Sequence, residues 1–221
     1  MAIPRPVRTV AKTLGLRRPH GTIKYPRINF ASGLQDGAWL LFGLVETLRP
    51  EVCVEIGSAR GLSACFVGVA LKHQKHGKLY AIDPHEPTAW NDEASVDTYA
   101  VMRKNLRACG VDAYVEIVRK YSGDAAKDWT KPIDMIFIDG DHSYEGVRRD
   151  WDLFVPFVRD FGVVVFHDTM WAIAEPSARR EDMGVPRFVD ELRQKGYPVL
   201  TIDRHHGISL VQPRIGGMKL T

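Results

Sequence analysis

The chain has 221 residues, 45% apolar and 26% charged, which fits one globular domain with a sizeable core. No apolar run approaches the roughly 20 residues that span a bilayer, and the first residues carry no secretory h-region. The net charge of +3 is unevenly placed: residues 1–35 hold seven bases and no acid, and the remainder holds 23 bases against 27 acids. Pro4, Pro6, Pro19 and Pro26 interrupt any long amphipathic helix in this basic stretch. We therefore expect an N-terminal arm over 1–33 that packs on its own domain or on a second copy in a homo-oligomer, ahead of a domain over 34–221. Contact with nucleic acid or an anionic membrane, or organelle targeting, are the alternatives for such an arm. Cys53, Cys65 and Cys109 lie in or beside apolar segments without C-x-x-C spacing, which reads as core thiols in a reducing, cytoplasmic setting.

Taken in order, 34–48 has helical periodicity, with Leu40, Leu41, Leu44, Val45 and Leu48 on one face, and stops before Pro50. A strand over 52–57, a helix over 62–73 and a strand over 78–83 make a right-handed βαβ unit. Residues 84–94 are rich in turn formers, and a helix over 95–108 ends at Gly110. A strand over 114–118 leads to a short helix near Ser122. A strand over 133–139, a helix over 144–158 and a nearly all-apolar strand over 162–167 follow, the last patterned for burial on both faces. Residues 169–184 have no clear period. A helix over 186–195 precedes strands over 198–202 and 207–212, spaced as a hairpin. Alternating strands and helices predict a three-layer α/β sandwich.

The most informative stretch is Val-Glu-Ile-Gly-Ser-Ala-Arg-Gly at 54–61. An apolar strand runs into a turn with Gly57 and Gly61, and a helix follows whose N-terminus presents unpaired N–H groups. Bare backbone at the carboxyl edge of a strand suits a nucleotide-like ligand. The spacing is G-x-x-x-G with Glu55 two residues upstream, not the G-x-G-x-x-G that cradles a pyrophosphate. One glycine fewer and one acid more suit a ligand without phosphates and with a positive charge.

Three further segments fall in register with this loop: Ala81-Ile82-Asp83-Pro84, Ile138-Asp139-Gly140-Asp141-His142 and Phe166-His167-Asp168. Together they resemble the class I S-adenosylmethionine-dependent methyltransferases over roughly residues 35–212, and within them the small metal-assisted O-methyltransferases of catechols, sugars and antibiotic scaffolds. The resemblance implies a Rossmann-like, mostly parallel seven-stranded sheet whose C-terminal hairpin adds one antiparallel strand. It implies S-adenosyl-L-methionine as cofactor and a small-molecule hydroxyl as acceptor. Glu55 would face the charged methionine end, with Gly57, Ser58, Gly61 and Ser63 close to the ligand. Asp83 would hold the ribose diol, since an ionised carboxylate accepts at both oxygens. Ser122 is either a contact to the adenine edge or the N-cap of its helix, and both stay open.

Methyl transfer needs an acceptor oxygen that is positioned and loses its proton, and a divalent cation that chelates the acceptor serves both ends. The resemblance maps Asp139, His167 and Asp168 onto metal-ligand positions, with Mg²⁺ or Mn²⁺ as the ion and Asp139 also near the cofactor. An imidazole at 167 departs from the usual oxygen ligand and suits Mn²⁺, Fe²⁺ or Zn²⁺ better than Mg²⁺. Asp141 matches the general-base position of sugar O-methyltransferases. His142 competes with it, having an ordinary pKa near 6.5, and the alternative for Asp141 is the cap of the next helix. Trp90 and Trp171 in the flanking loops would stack on a flat acceptor. A nicotinamide oxidoreductase would need the tighter glycine loop. A metal-dependent hydroxylase on the same scaffold stays open. Asp-Gly-Asp-His after the fourth strand argues against a base-modifying enzyme, which carries Asn/Asp-Pro-Pro-Tyr/Phe there.

Overall fold

The computed structural model describes residues 32–88, 90, 96–171, 182–215 and 218–219. Residues 1–31 of the expected arm, the start of the helix expected from 95 and most of the 169–184 segment lie outside them. Among the described residues six α-helices alternate with the strands: α1 (Ala38–Leu48), α2 (Leu62–Gln74), α3 (Thr98–Cys109), α4 (Ser122–Lys127), α5 (Tyr144–Phe154) and α6 (Val185–Gln194). The strands are β1 (Val52–Ile56), β2 (Lys78–Ile82), β3 (Val115–Val118), β4 (Ile133–Ile138), β5 (Val158–His167), β6 (Val199–Ile202) and β7 (Ile208–Val211). A short hairpin, β8 (Arg214–Ile215) with β9 (Met218–Lys219), follows and was not expected. The seven-stranded sheet has the order β3-β2-β1-β4-β5-β7-β6. Only β7 runs antiparallel, pairing with β5 on one side and β6 on the other.

Strand alternation sends side chains to two apolar layers. Cys53, Met135, Phe137, Val163 and Val165 pack with α1, α2 and α3 on one face. Val54, Ile56, Ile136, Ile138, Val164 and Phe166 pack with α4, α5 and α6 on the other. Leu34, Leu41 and Val45 are fully buried in the first layer, so the periodicity of the first helix is real, although its start is a 3₁₀ turn over Gln35–Gly37. Asp97 caps α3, its side chain accepting from the Ala100 N–H at 2.9 Å, and Gly110 closes the helix at φ +65°.

The expected helix over 144–158 stops early. Pro156 lacks an N–H, and residues 155–157 tighten into a 3₁₀ turn before β5 begins at Val158. The extra length of β5 carries exposed Arg159, Asp160 and Phe161 and a register shift against β4. Polar, exposed residues hide a strand extension from an apolarity argument. Where β1 and β4 lie side by side the winding of the sheet reverses, and the carboxyl ends of β1, β2, β4 and β5 open there into one crevice.

Candidate active site

A cavity of about 670 Å³ fills that crevice. Along its floor the strand ends supply Ser122 after β3, Asp83 after β2, Gly57 and Ser58 after β1, Asp139 after β4, and His167 and Asp168 at the end of β5. Trp90, Asp141, His142, Trp171 and His206 add the wall above β4 and β5.

Asp83 braces the glycine turn. Its Oδ2 accepts the Ser58 and Ala59 N–H groups, each at 2.8 Å, and its Oδ1 accepts the His85 N–H at 2.6 Å. A carboxylate offers about four acceptor sites, so room remains for one ribose hydroxyl rather than the expected two. Gly57 and Gly61 have φ +85° and +81°. A Cβ on Gly57 would sit 2.1 Å from the Asp139 carbonyl oxygen, and one on Gly61 would sit 2.8 Å from Met102 Cγ. The chain itself, not a ligand, occupies the space these glycines leave. Gly57 lines the cavity; Gly61 does not.

Glu55 also departs from expectation. Strand alternation places it beside Cys53 on the α1–α2 face, where it is 1% exposed and absent from the cavity wall. Its Oε2 accepts the Ser58 hydroxyl at 2.7 Å, while Oε1 is buried without a hydrogen-bond partner. Burial pushes this carboxyl up to about 7. Ser63 lines the cavity nearby. Ser122 is the first residue of α4 rather than its cap, which is Tyr121, and its hydroxyl donates to Asp150 Oδ1 at 2.6 Å. Asp150 was missed from the sequence although the signal was there: it sits at helical spacing with Val147 and Phe154, an acid inside the apolar stripe of α5.

Four titratable side chains gather over β4 and β5. His142 Nδ1 lies 3.0 Å from Asp168 Oδ2, and His142 Nε2 lies 3.5 Å from Asp139 Oδ1. His167 Nδ1 contacts the same Asp139 oxygen at 3.0 Å, and its Nε2 faces the His205 carbonyl at 3.3 Å. Burial works against charge on both imidazoles, yet the neighbouring carboxylates hold both above their ordinary value, His167 at about 9. The same cations hold Asp139 well below the usual carboxylate range despite its burial, while burial pushes Asp168 up. Ligand atoms of Asp139, His142 and Asp168 lie within 4.8 Å of one another. The three-residue cluster thus has His142 where the sequence pointed to His167. Both nitrogens of His167 already face oxygens, and Val163, Val165 and His167 alternate toward the α1–α3 layer.

Asp141 is occupied differently. Its Oδ1 accepts from Trp90 Nε1 and the Ser143 N–H, both at 3.0 Å, and Arg149 approaches Oδ2 at 3.2 Å. These donors hold the carboxyl below its ordinary value although burial opposes them. Ser143, not Asp141, is the N-cap of α5. The Trp90 ring lies against His142 with centroids 5.0 Å apart, and Trp171 stacks on His206 at 4.3 Å. Both tryptophans therefore border the cavity.

A doubly wound sheet of this order, with its one antiparallel strand and an acid after β2, is the fold of the class I S-adenosylmethionine-dependent methyltransferases. A family model described as a methyltransferase domain matches residues 54–169, and the chain belongs to that family. An uncharacterized protein, y4gI, of Sinorhizobium fredii is 27% identical over 187 residues, covering 79% of this chain. This chain spans 19% of that relative's length. Among solved structures, cofactor-bound Rv0187 from MTB is 19% identical with a TM-score of 0.64, covering 97% of this chain and 100% of that one. The O-methyltransferase TomG of Streptomyces achromogenes, involved in tomaymycin synthesis and solved in complex with SAM, is 18% identical with a TM-score of 0.63, covering 97% and 92%. No helix among the described residues is long and apolar enough to cross a membrane.

Proposed function

We propose that the chain transfers a methyl group from S-adenosylmethionine to a hydroxyl of a small molecule, with a divalent cation at Asp139, His142 and Asp168. The observation that carries this reading is the placement of the Asp83-braced glycine turn and the three-ligand cluster on one cavity. The solved O-methyltransferases with the same fold support it. The donor set, two carboxylates and one imidazole, fits a transition-metal dication such as Mn²⁺, Fe²⁺ or Zn²⁺ better than Mg²⁺, because nitrogen ligation favours the first-row transition ions over Mg²⁺. Asp168 Oδ1 is buried without a hydrogen-bond partner, with His167 Nδ1 3.3 Å away as an ion-pair contact, so it keeps acceptor capacity for a cation.

The cofactor supplies an electrophilic methyl on a sulfonium. The chain's own residues supply the rest. Asp83 takes a ribose hydroxyl and fixes the amides of Ser58 and Ala59. Trp90 and Trp171 border the side of the cavity nearest the cluster and would flank a flat or sugar-like acceptor. A second reading, in which no cation takes part, rests on the 3.0 Å contact of His142 with Asp168. There Asp168 orients the imidazole, and neutral His142 removes the acceptor proton. The arm over 1–33 then remains a candidate surface for a second copy, and the acceptor is a small molecule rather than nucleic acid.

Titration calorimetry with S-adenosylhomocysteine, with Mn²⁺ and again with chelator, tests the proposal. Micromolar binding that is lost in Asp83→Ala supports the cofactor site. Mn²⁺ retained through gel filtration by the wild type, and not by Asp168→Ala, supports the cation. Binding and turnover indifferent to chelator would select the His142–Asp168 base instead. Absence of any cofactor-product binding would overturn the proposal.

A further inference from the structure

Along the sheet edge the chemistry has an order. The cation cluster lies over β4 and β5, the glycine turn over β1, Asp83 over β2, and Ser122 after β3. If S-adenosylmethionine occupies the cavity as proposed above, its ribose at Asp83 leaves the purine at the β3 end. The polar group waiting there is the Ser122–Asp150 pair. Asp150 is 1% exposed and lines the cavity, yet it lies in α5 among Val147, Trp151 and Phe154. Its Oδ1 takes the Ser122 hydroxyl at 2.6 Å. No second hydrogen bond to it is found among the described residues, and a Cβ on cavity-lining Gly140 would approach its Oδ2 at 3.6 Å. A carboxylate kept in an apolar stripe with one oxygen unused is costly unless something else satisfies it.

We infer that Asp150 is the residue that reads the purine, its free oxygen accepting the 6-amino group of adenine while Ser122 holds the other oxygen. Ser122 is then a positioning residue whose hydroxyl fixes the carboxylate's rotation. Burial lifts the acid to about 6, so at pH 7.5 it is ionised and can only accept. A purine bearing an oxo group at position 6 would set oxygen against oxygen. The site is thereby selective for a 6-aminopurine nucleoside by repulsion as well as attraction.

The test compares S-adenosylhomocysteine with S-inosylhomocysteine, in which position 6 changes from amino to oxo and N1 gains a proton. Calorimetry on the full chain should find the inosyl compound bound at least about 30-fold more weakly by the wild type. Asp150→Asn keeps volume and shape. Its amide oxygen accepts from Ser122 and its NH₂ turns to the ligand, so the preference should narrow by tenfold or more, or invert. Ser122→Ala should weaken S-adenosylhomocysteine and reduce the preference less than Asp150→Asn does. Equal affinity of the wild type for the two compounds overturns the assignment, as does a ratio unchanged in Asp150→Asn. In either case intact binding leaves the cofactor reading standing. If the wild type binds neither compound, the cofactor reading and the assignment fall together. The wild-type comparison needs no variant, so poor folding of a substituted chain does not shelter the idea.

Discussion

Replacing Glu55 by glutamine should make the protein more stable at pH 8, not less. Glu55 is 1% exposed, one oxygen has no partner, and the Ser58 hydroxyl serves the other at 2.7 Å. Desolvation raises its pKa from 4.5 to about 7, opposed only in part by hydrogen bonds from Ser58 and Ser63. The folded state then holds the proton more tightly than the unfolded chain between these values. Stability is full below pH 4.5, falls as the pH rises toward 7, and levels off above it. The ionised acid costs about 3 kcal/mol at pH 8. Glutamine still accepts from Ser58 and has no charge to desolvate. Urea unfolding of both proteins at pH 5, 6, 7 and 8 should give a gap favouring Glu55→Gln that grows to about 2–3 kcal/mol at pH 8 and narrows toward pH 5. In a domain of this size that is roughly 5–10 °C in Tm. A variant less stable at pH 8, or a gap independent of pH, would refute the placement of Glu55 as a buried acid whose desolvation outweighs its hydrogen bonds.

Three further outcomes are expected. Asp83→Ala removes the acceptor of three main-chain N–H groups, so it should cost about 1–3 kcal/mol in urea unfolding as well as abolishing S-adenosylhomocysteine binding. Full stability with lost binding would show the brace to be idle. Gly57→Ala, with a Cβ 2.1 Å from the Asp139 carbonyl at φ +85°, should lose at least about 2–4 kcal/mol, and a wild-type Tm would contradict this. Asp141→Asn should lower turnover less than tenfold and leave the acid limb of the pH–rate profile in place, because Trp90, Ser143 and Arg149 already engage that carboxylate. A hundredfold fall with a moved limb would reinstate Asp141 as the base.

Much of this architecture was legible because buried parallel strands are apolar on both faces: the runs at 133–138 and 162–167 can be little else. The acids at 83, 139 and 168 follow from strand ends, and the crevice they share follows from topology. Side-chain direction was harder to read. Glu55 beside a glycine turn suggests an acid facing a ligand, but the two-residue alternation with Cys53 turns it inward. His167 is adjacent to Asp168 in sequence and lies 3.3 Å from its Oδ1, but its hydrogen bonds go to Asp139 and the His205 carbonyl, while His142 reaches the cluster from a loop. Loop reach is a tertiary property that spacing does not encode. Asp150 was readable in principle, since a lone acid at i+3 and i−4 from buried Val147 and Phe154 violates the helix pattern.

The missing Cβ of Gly57 has an engineering consequence. Its place is taken by the main-chain carbonyl of Asp139, so the turn at one nucleoside-facing strand and the carboxylate end of its neighbour are keyed into each other with no side chain between. No rotamer change can absorb a misfit at that seam. Anyone grafting a foreign loop after β4 to recruit a cation or acceptor would push on the glycine turn, and cofactor affinity would drift with every swap.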